Sequence, residues 1–159
     1  MSNIKTIQVP HLGGITAAYQ RPQAYDAGKP TLVLINSHRT TSDLYKLQFS
    51  DESMSDAMNL IAIEPLGHGQ TRTKSEHFTF WDTAIMTLQV LEALGIERWF
   101  ALGTSQGGWV VVRMALLAPE KVRAAFAAQR MTNEKTLTDS LLIVVYWHIT
   151  SRYFHGLRV

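Results

Sequence analysis

The sequence predicts an α/β architecture, an open and mostly parallel sheet with helices on both faces, and three observations carry that expectation. Three short apolar runs are bounded by turn formers, as strands buried on both faces should be. They are residues 31–36 (Thr-Leu-Val-Leu-Ile-Asn), 60–63 (Leu-Ile-Ala-Ile) and 99–102 (Trp-Phe-Ala-Leu). Between the second and third run lies a stretch of helical period, and strand, helix and strand joined by short loops make a right-handed crossover onto a parallel sheet. A second helical stretch follows the third run directly.

Each element can be justified in order. Residues 4–9 and 15–20, separated by Leu-Gly-Gly, fit an antiparallel hairpin that leads into the sheet. Residues 81–94 form the first long helix, with Ile85, Leu88, Leu91 and Leu94 on the expected core stripe and Asp82, Gln89 and Glu92 toward water. Gly95 ends it, in the usual place of a C-terminal glycine. A helix over 106–117 is closed by Pro119, and a further strand is predicted over 122–128. Trp81 and Trp109, at the helix starts, are expected in the core.

Composition narrows the function classes. With 46% apolar and 18% charged residues in 159, the chain has the make-up of a folded domain that buries a real core. The net charge of +2 comes from scattered Lys and Arg, with no basic stripe, so nucleic acid is not an expected partner. The absence of cysteine excludes disulfides, thiolate metal sites and cysteine nucleophiles together. Dispersed histidines and the lack of a His-x-x-Glu pattern argue for no metal and no organic cofactor. Residues 1–10 lack the basic lead and apolar block of a secretory signal, and residues 141–147 are far shorter than the roughly 20 needed to cross a bilayer. No membrane span and a cytoplasmic location are therefore expected.

The chemistry centres on Gly103-Thr104-Ser105-Gln106-Gly107, which lies between a predicted strand and a predicted helix. A nucleophile in such a tight turn needs small neighbours two positions before and two after it, and Gly103 and Gly107 provide them. Ser105 would project its hydroxyl above the sheet, and the Gln106 backbone N–H, at the start of the helix, would face the oxygen of a bound carbonyl.

Over residues 32–122 the chain resembles the α/β-hydrolase family by more than this elbow. Glu64-Pro65-Leu66-Gly67-His68-Gly69-Gln70-Thr71 is similar to the family's Asp-x-Pro-Gly-His-Gly-x-Ser loop. Leu94-Gly95-Ile96-Glu97-Arg98 and Ala118-Pro119-Glu120-Lys121-Val122 resemble the connections on either side of the nucleophile unit. The resemblance implies a serine hydrolase acting on an ester or similar carbonyl of a small-molecule substrate. It implies Ser105 as nucleophile and backbone donors from Gln106 and His38 as the oxyanion hole. In Ile35-Asn36-Ser37-His38-Arg39-Thr40, Ser37 replaces the usual glycine, while His68 is implied to be structural. Gly107-Gly108-Trp109 also suits relatives that use this fold for cofactor-free oxygenation or halogenation.

A serine hydroxyl needs a base, usually a histidine oriented by a carboxylate, and the family orders them serine, acid, histidine. After Ser105 the acids are Glu120, Glu134 and Asp139 and the histidines His148 and His155. Their spacing departs from the family pattern, which divides the chain into 1–128, the N-terminal part of the hydrolase domain, and 129–159, a divergent tail of a truncated domain. Two completions are open. Either the tail supplies no base and the chain is a catalytically incomplete fragment acting as a binding module, self-associating through an open sheet edge. Or residues 141–147 form a late parallel strand, with His148 past its carboxyl end and Asp139 or Glu134 as the acid. The first is preferred, because an acid directly before a parallel strand falls at the wrong edge of the sheet.

Overall fold

Side-chain alternation along the central strands builds two cores of unequal size. In the computed structural model, which describes residues 4–130 and 140–145, β1 (Ile4–Val9) and β2 (Ile15–Gln20) form the hairpin expected from the sequence. β3 (Thr31–Ile35), β4 (Asn59–Ile63), β6 (Trp99–Thr104) and β7 (Val122–Arg130) form the parallel block, with β5 (Arg72–Thr73) a short addition beside β2. The strand order is β1-β2-β4-β3-β6-β7-β8, where β8 is Ser140–Val145.

One face of the block presents Val33, Ile35, Ile61, Ile63 and Ala101 to α3 (Phe80–Ala93) and α4 (Gln106–Leu117), and this is the larger core. Leu34, Ala62 and Leu102 point the other way, against Tyr45, at the end of the 3-10 turn Ser42–Tyr45, and Phe49 of the short α1 (Lys46–Ser50); α2 (Glu52–Ala57) follows it. Helical cover on both faces is the arrangement the apolar runs predict.

Three expectations need correction. In α3 the buried stripe is Thr83, Ala84, Met86, Thr87, Val90 and Leu91, with Leu88 and Leu94 partly buried against the core as expected, while Ile85 is half-buried and not among the residues packed there. Ala84, Thr83 and Thr87 share the core face with Met86, Val90 and Leu91, and the Thr87 hydroxyl satisfies itself on the Thr83 carbonyl at 2.8 Å. Trp81 and Trp109 are not core residues but 43% and 50% exposed. Their rings, with Phe80, surround the Arg113 guanidinium at 5.1 to 5.8 Å, a cation–π arrangement that serves aromatics on an outer helix face.

The third correction concerns β8, which pairs antiparallel with β7, Arg130 facing Ser140 and Ala125 facing Val145. Only residues 131–139 join the two strands, fewer than the dozen or so that a parallel crossover needs. A late parallel strand over 141–147 is therefore replaced by an antiparallel one that runs away from the carboxyl edge of the parallel block. Among the described residues no helix is long and apolar enough to cross a membrane.

Candidate active site

At the carboxyl ends of the parallel strands the chain passes from β6 into α4 through one residue, Ser105, held at φ 50° and ψ −114°. A non-glycine residue in this region costs on the order of 1–3 kcal/mol and persists only where its surroundings enforce it. The enforcement is visible. Ser105 N–H donates to the Ala128 carbonyl at 2.7 Å, and its own carbonyl accepts from Gly108 N–H at 2.9 Å. The glycines allow the crossing: a Cβ on Gly103 would overlap the Gly107 carbonyl, and one on Gly107 would overlap the Ile35 carbonyl of β3. Ser105 is exposed, and among the described residues its hydroxyl makes no hydrogen bond.

The loop after β3 comes to the same place. His38 Nδ1 lies 3.1 Å from Gln106 Oε1, so the two residues proposed as oxyanion donors touch through their side chains. Neither backbone N–H is donated to a partner among the described residues. For Gln106, the first residue of α4, this follows from its place, since the first N–H groups of a helix have no partner within it. The His38 side chain thus does more than the resemblance implied, bridging the two halves of the site.

Three buried or half-buried groups shape this loop, and only one was singled out from sequence. His68 donates from Nδ1 to the Leu66 carbonyl at 3.0 Å and accepts at Nε2 from Arg39 N–H at 3.2 Å, with its ring edge-on to His38 at 5.7 Å. That is the structural role expected of it. Asn36, buried at the end of β3, donates to the Thr40 carbonyl at 2.7 Å and closes the turn in which Arg39 sits at φ 60°. Glu64 is completely buried, and its carboxylate accepts from Ser42 N–H, Ser42 Oγ and Gln70 N–H at 3.1, 2.9 and 2.7 Å. Gly69 exists beside it because a Cβ there would overlap that carboxylate. The available signal was a charged residue directly after the apolar run 60–63.

Tyr45 was missed for lack of any local signal. Its hydroxyl donates to the Ile35 carbonyl at 2.7 Å and lies 3.1 Å from Thr104 Oγ1, directly beneath the elbow. Burial pushes it up from 10.0 to about 12, against a smaller downward pull from the Thr104 hydrogen bond. The unfolded chain releases this proton near pH 10 and the native one near 12, so the associated stability is full below pH 10 and falls as pH rises through that window. Thermal melts of Tyr45→Phe against the unsubstituted chain should show the difference narrowing between pH 10 and 12; a constant difference would remove the linkage.

The remaining sequence candidates are not brought to Ser105. Glu120 is exposed in the turn before β7, next to the Lys121 carbonyl that accepts from Trp99 N–H at the start of β6, and so lies at the amino edge. Asp139 and His148, with Glu134 and His155, lie outside the described residues. Among the described residues no group of three or more His, Cys, Asp or Glu is placed to hold a metal ion.

A strand–serine–helix elbow on a mostly parallel sheet defines a class of fold, and the alpha/beta hydrolase fold pattern matches residues 30–145. The chain belongs to that family. Over 115 residues it is 29% identical to the dihydrolipoyllysine-residue acetyltransferase component of the acetoin cleaving system from Cupriavidus necator, covering 72% of this chain and 29% of that one. It is 26% identical over 129 residues to a 2-heptyl-3-hydroxy-4-quinolone dioxygenase from Rhodococcus erythropolis, covering 78% and 43%. The crystal structure of a hydrolase from Pseudomonas aeruginosa superposes with a TM-score of 0.65 at 27% identity, over 76% of this chain and 44% of that one. The chain thus spans less than half the length of these relatives.

Proposed function

We propose that this chain carries the nucleophile and oxyanion donors of a serine hydrolase acting on an ester or similar carbonyl substrate. The observation that supports it most is Ser105 itself, an exposed serine in a strained backbone conformation for which two glycines are kept free of side chains. In the proposed reaction Ser105 Oγ adds to the carbonyl carbon and the displaced electron pair settles on oxygen. There it is held by the N–H groups of Gln106 and His38. Preorganised donors of this kind contribute roughly 10²–10³ in rate each. The tetrahedral adduct collapses with loss of the alcohol, which takes the proton first removed from Ser105, and water repeats the sequence on the acyl-enzyme.

The proton carrier is a histidine held by an acid, and His148 with Asp139 is the pair this sequence offers. The antiparallel course of β8 weakens that assignment, since Val145 faces Ala125 and the strand has by then left the Ser105 edge.

Labelling by a fluorophosphonate, located by peptide mass spectrometry, tests the reading. Phosphonylation at Ser105 is expected, and it should vanish in Ser105→Ala and after heat denaturation. A signal no higher than the denatured level would leave the family fold serving as a binding or interaction module. Dioxygenation, named for the Rhodococcus relative, is a second reading, distinguished by oxygen uptake that survives Ser105→Ala.

A further inference from the structure

Beside Gln106 lies an open cleft of about 310 Å³, walled by Phe78, Thr79, Phe80 and Thr83. We propose that it is the subsite for an uncharged aryl group attached to the carbonyl that Ser105 attacks; the inference rests on the reading of Ser105 as nucleophile. At about 30 Å³ per water the space is worth roughly ten waters, near the lower end of ligand-binding clefts, and so suits a ring rather than a long chain.

The walls are built rather than incidental. Phe78 lies over Gly67, where an added Cβ would come within 3.1 Å of its Cζ, so the glycine makes the seat for the ring. Thr79 fixes the backbone between the two phenylalanines as the N-cap of α3. Its Oγ1 accepts from Trp81 N–H at 3.2 Å and Asp82 N–H at 3.4 Å, and its N–H donates to Asp82 Oδ2 at 2.6 Å. Burial pushes the Asp82 carboxyl up, but the Thr79 hydrogen bonds and His11, 2.8 Å from Oδ1, together hold it below the usual range. The backbone that carries Phe78 and Phe80 is thus fixed, while the two residues are 41% and 38% exposed. Preorganised aromatic surface binds rings with little ordering cost.

Charge selects against anions. None of the five lining residues is ionisable. The nearby cation, Arg113, lies on the faces of Phe80, Trp81 and Trp109 and donates to the Trp109 carbonyl at 2.8 Å. A carboxylate carried on the ring into the cleft would give up hydration without meeting a counter-charge. The neutral ends, Gln106 and the two threonines, supply hydrogen bonds but no counter-charge.

Two measurements separate the subsite from the nucleophile. In the first, phenylmethanesulfonyl fluoride and methanesulfonyl fluoride, which share a reactive group, are compared for their rates of modification at Ser105. Phe80→Leu and Phe78→Ala are expected to slow the aryl reagent about tenfold and leave the methyl reagent within about twofold. Equal slowing of both would overturn the subsite. In the second, binding of acetophenone and 4-acetylbenzoate, which carries its anion on the far side of the ring, to the intact chain is followed by ligand-observed NMR. Acetophenone should bind the unsubstituted chain and Ser105→Ala alike, and several-fold more weakly each phenylalanine variant, while 4-acetylbenzoate stays unbound. 4-Acetylbenzoate binding as tightly, or acetophenone binding untouched by both variants, would also overturn it. Retained, phenylalanine-dependent acetophenone binding with no modification of Ser105 by either reagent would keep the cleft as an aryl site and remove the nucleophile reading alone.

Discussion

Gly107→Ala is expected to lower the midpoint of thermal unfolding by roughly 6–12 °C and to abolish labelling at Ser105. The added Cβ would overlap the carbonyl of Ile35 and stand 3.0 Å from that of Asn36. Both are backbone atoms at the end of β3, a central strand paired on both sides, so no side chain can rotate away. Overpacking of this kind costs about 3 kcal/mol at the upper end of its usual range, and each kcal/mol moves the midpoint of a domain this size by about 2–4 °C. Gly108→Ala is the internal comparison. Its Cβ would meet the Ala127 methyl at 3.1 Å, a contact that a small shift of α4 relieves, so a clearly smaller loss is expected. Calorimetry on the two variants decides the matter: a Gly107→Ala protein that melts with the unsubstituted chain would mean that the elbow is not sterically enforced.

Glu64→Gln carries the second large effect, a loss of about 2–5 kcal/mol together with slower labelling at Ser105. All three partners of the Glu64 carboxylate are donors. A glutamine offers one acceptor oxygen and turns an NH₂ toward at least one donor, so a buried N–H or O–H is stranded at about 1–3 kcal/mol and a charge-assisted hydrogen bond is lost as well. Relief from burying a carboxylate acts in the opposite direction. It does not win, because the donors built for the charge stay behind. The effect on labelling follows from position: Glu64 ties Ser42, in the segment after β3, to Gln70, in the loop that carries His68. Loss of that tie frees the turn bearing His38. Denaturant titration and labelling rates on the same variant test both parts, and a stable variant that labels at the normal rate would mean the two loops hold themselves.

The cost of the elbow ties these two predictions together. Ser105 occupies a conformation that a serine adopts only under constraint, and the constraint comes from β3, β7 and α4 at once. Stability spent there is recovered in the two cores on either side of the sheet. That places Ser105 at the junction of three packed elements, so a change in their packing reaches it.

Much of this protein was legible in its sequence because the governing physics is local. An apolar run flanked by turn formers gives a doubly buried strand whatever its neighbours, and β3, β4 and β6 lie where the runs at 31–36, 60–63 and 99–102 indicate. The hairpin β1–β2 and the start of α4 directly after Ser105 were equally readable, as was the need for Gly103 and Gly107, since a tight turn restricts its own residues. Tertiary structure decided the rest. Whether Ile85 or Ala84 faces the core depends on how closely a helix can approach the sheet, and a hydrophobicity pattern does not contain that distance. Trp81 and Trp109 lie outward around Arg113, which meets Trp109 one turn away on α4 but meets Trp81 only where α3 and α4 come side by side. The direction of β8 follows from the length of its connection and the free edge of β7, not from its own apolar run. Glu64 and Tyr45 hold the site through hydrogen bonds to residues 22 and 59 positions away, and such pairings exist only once the strands have set the loops side by side.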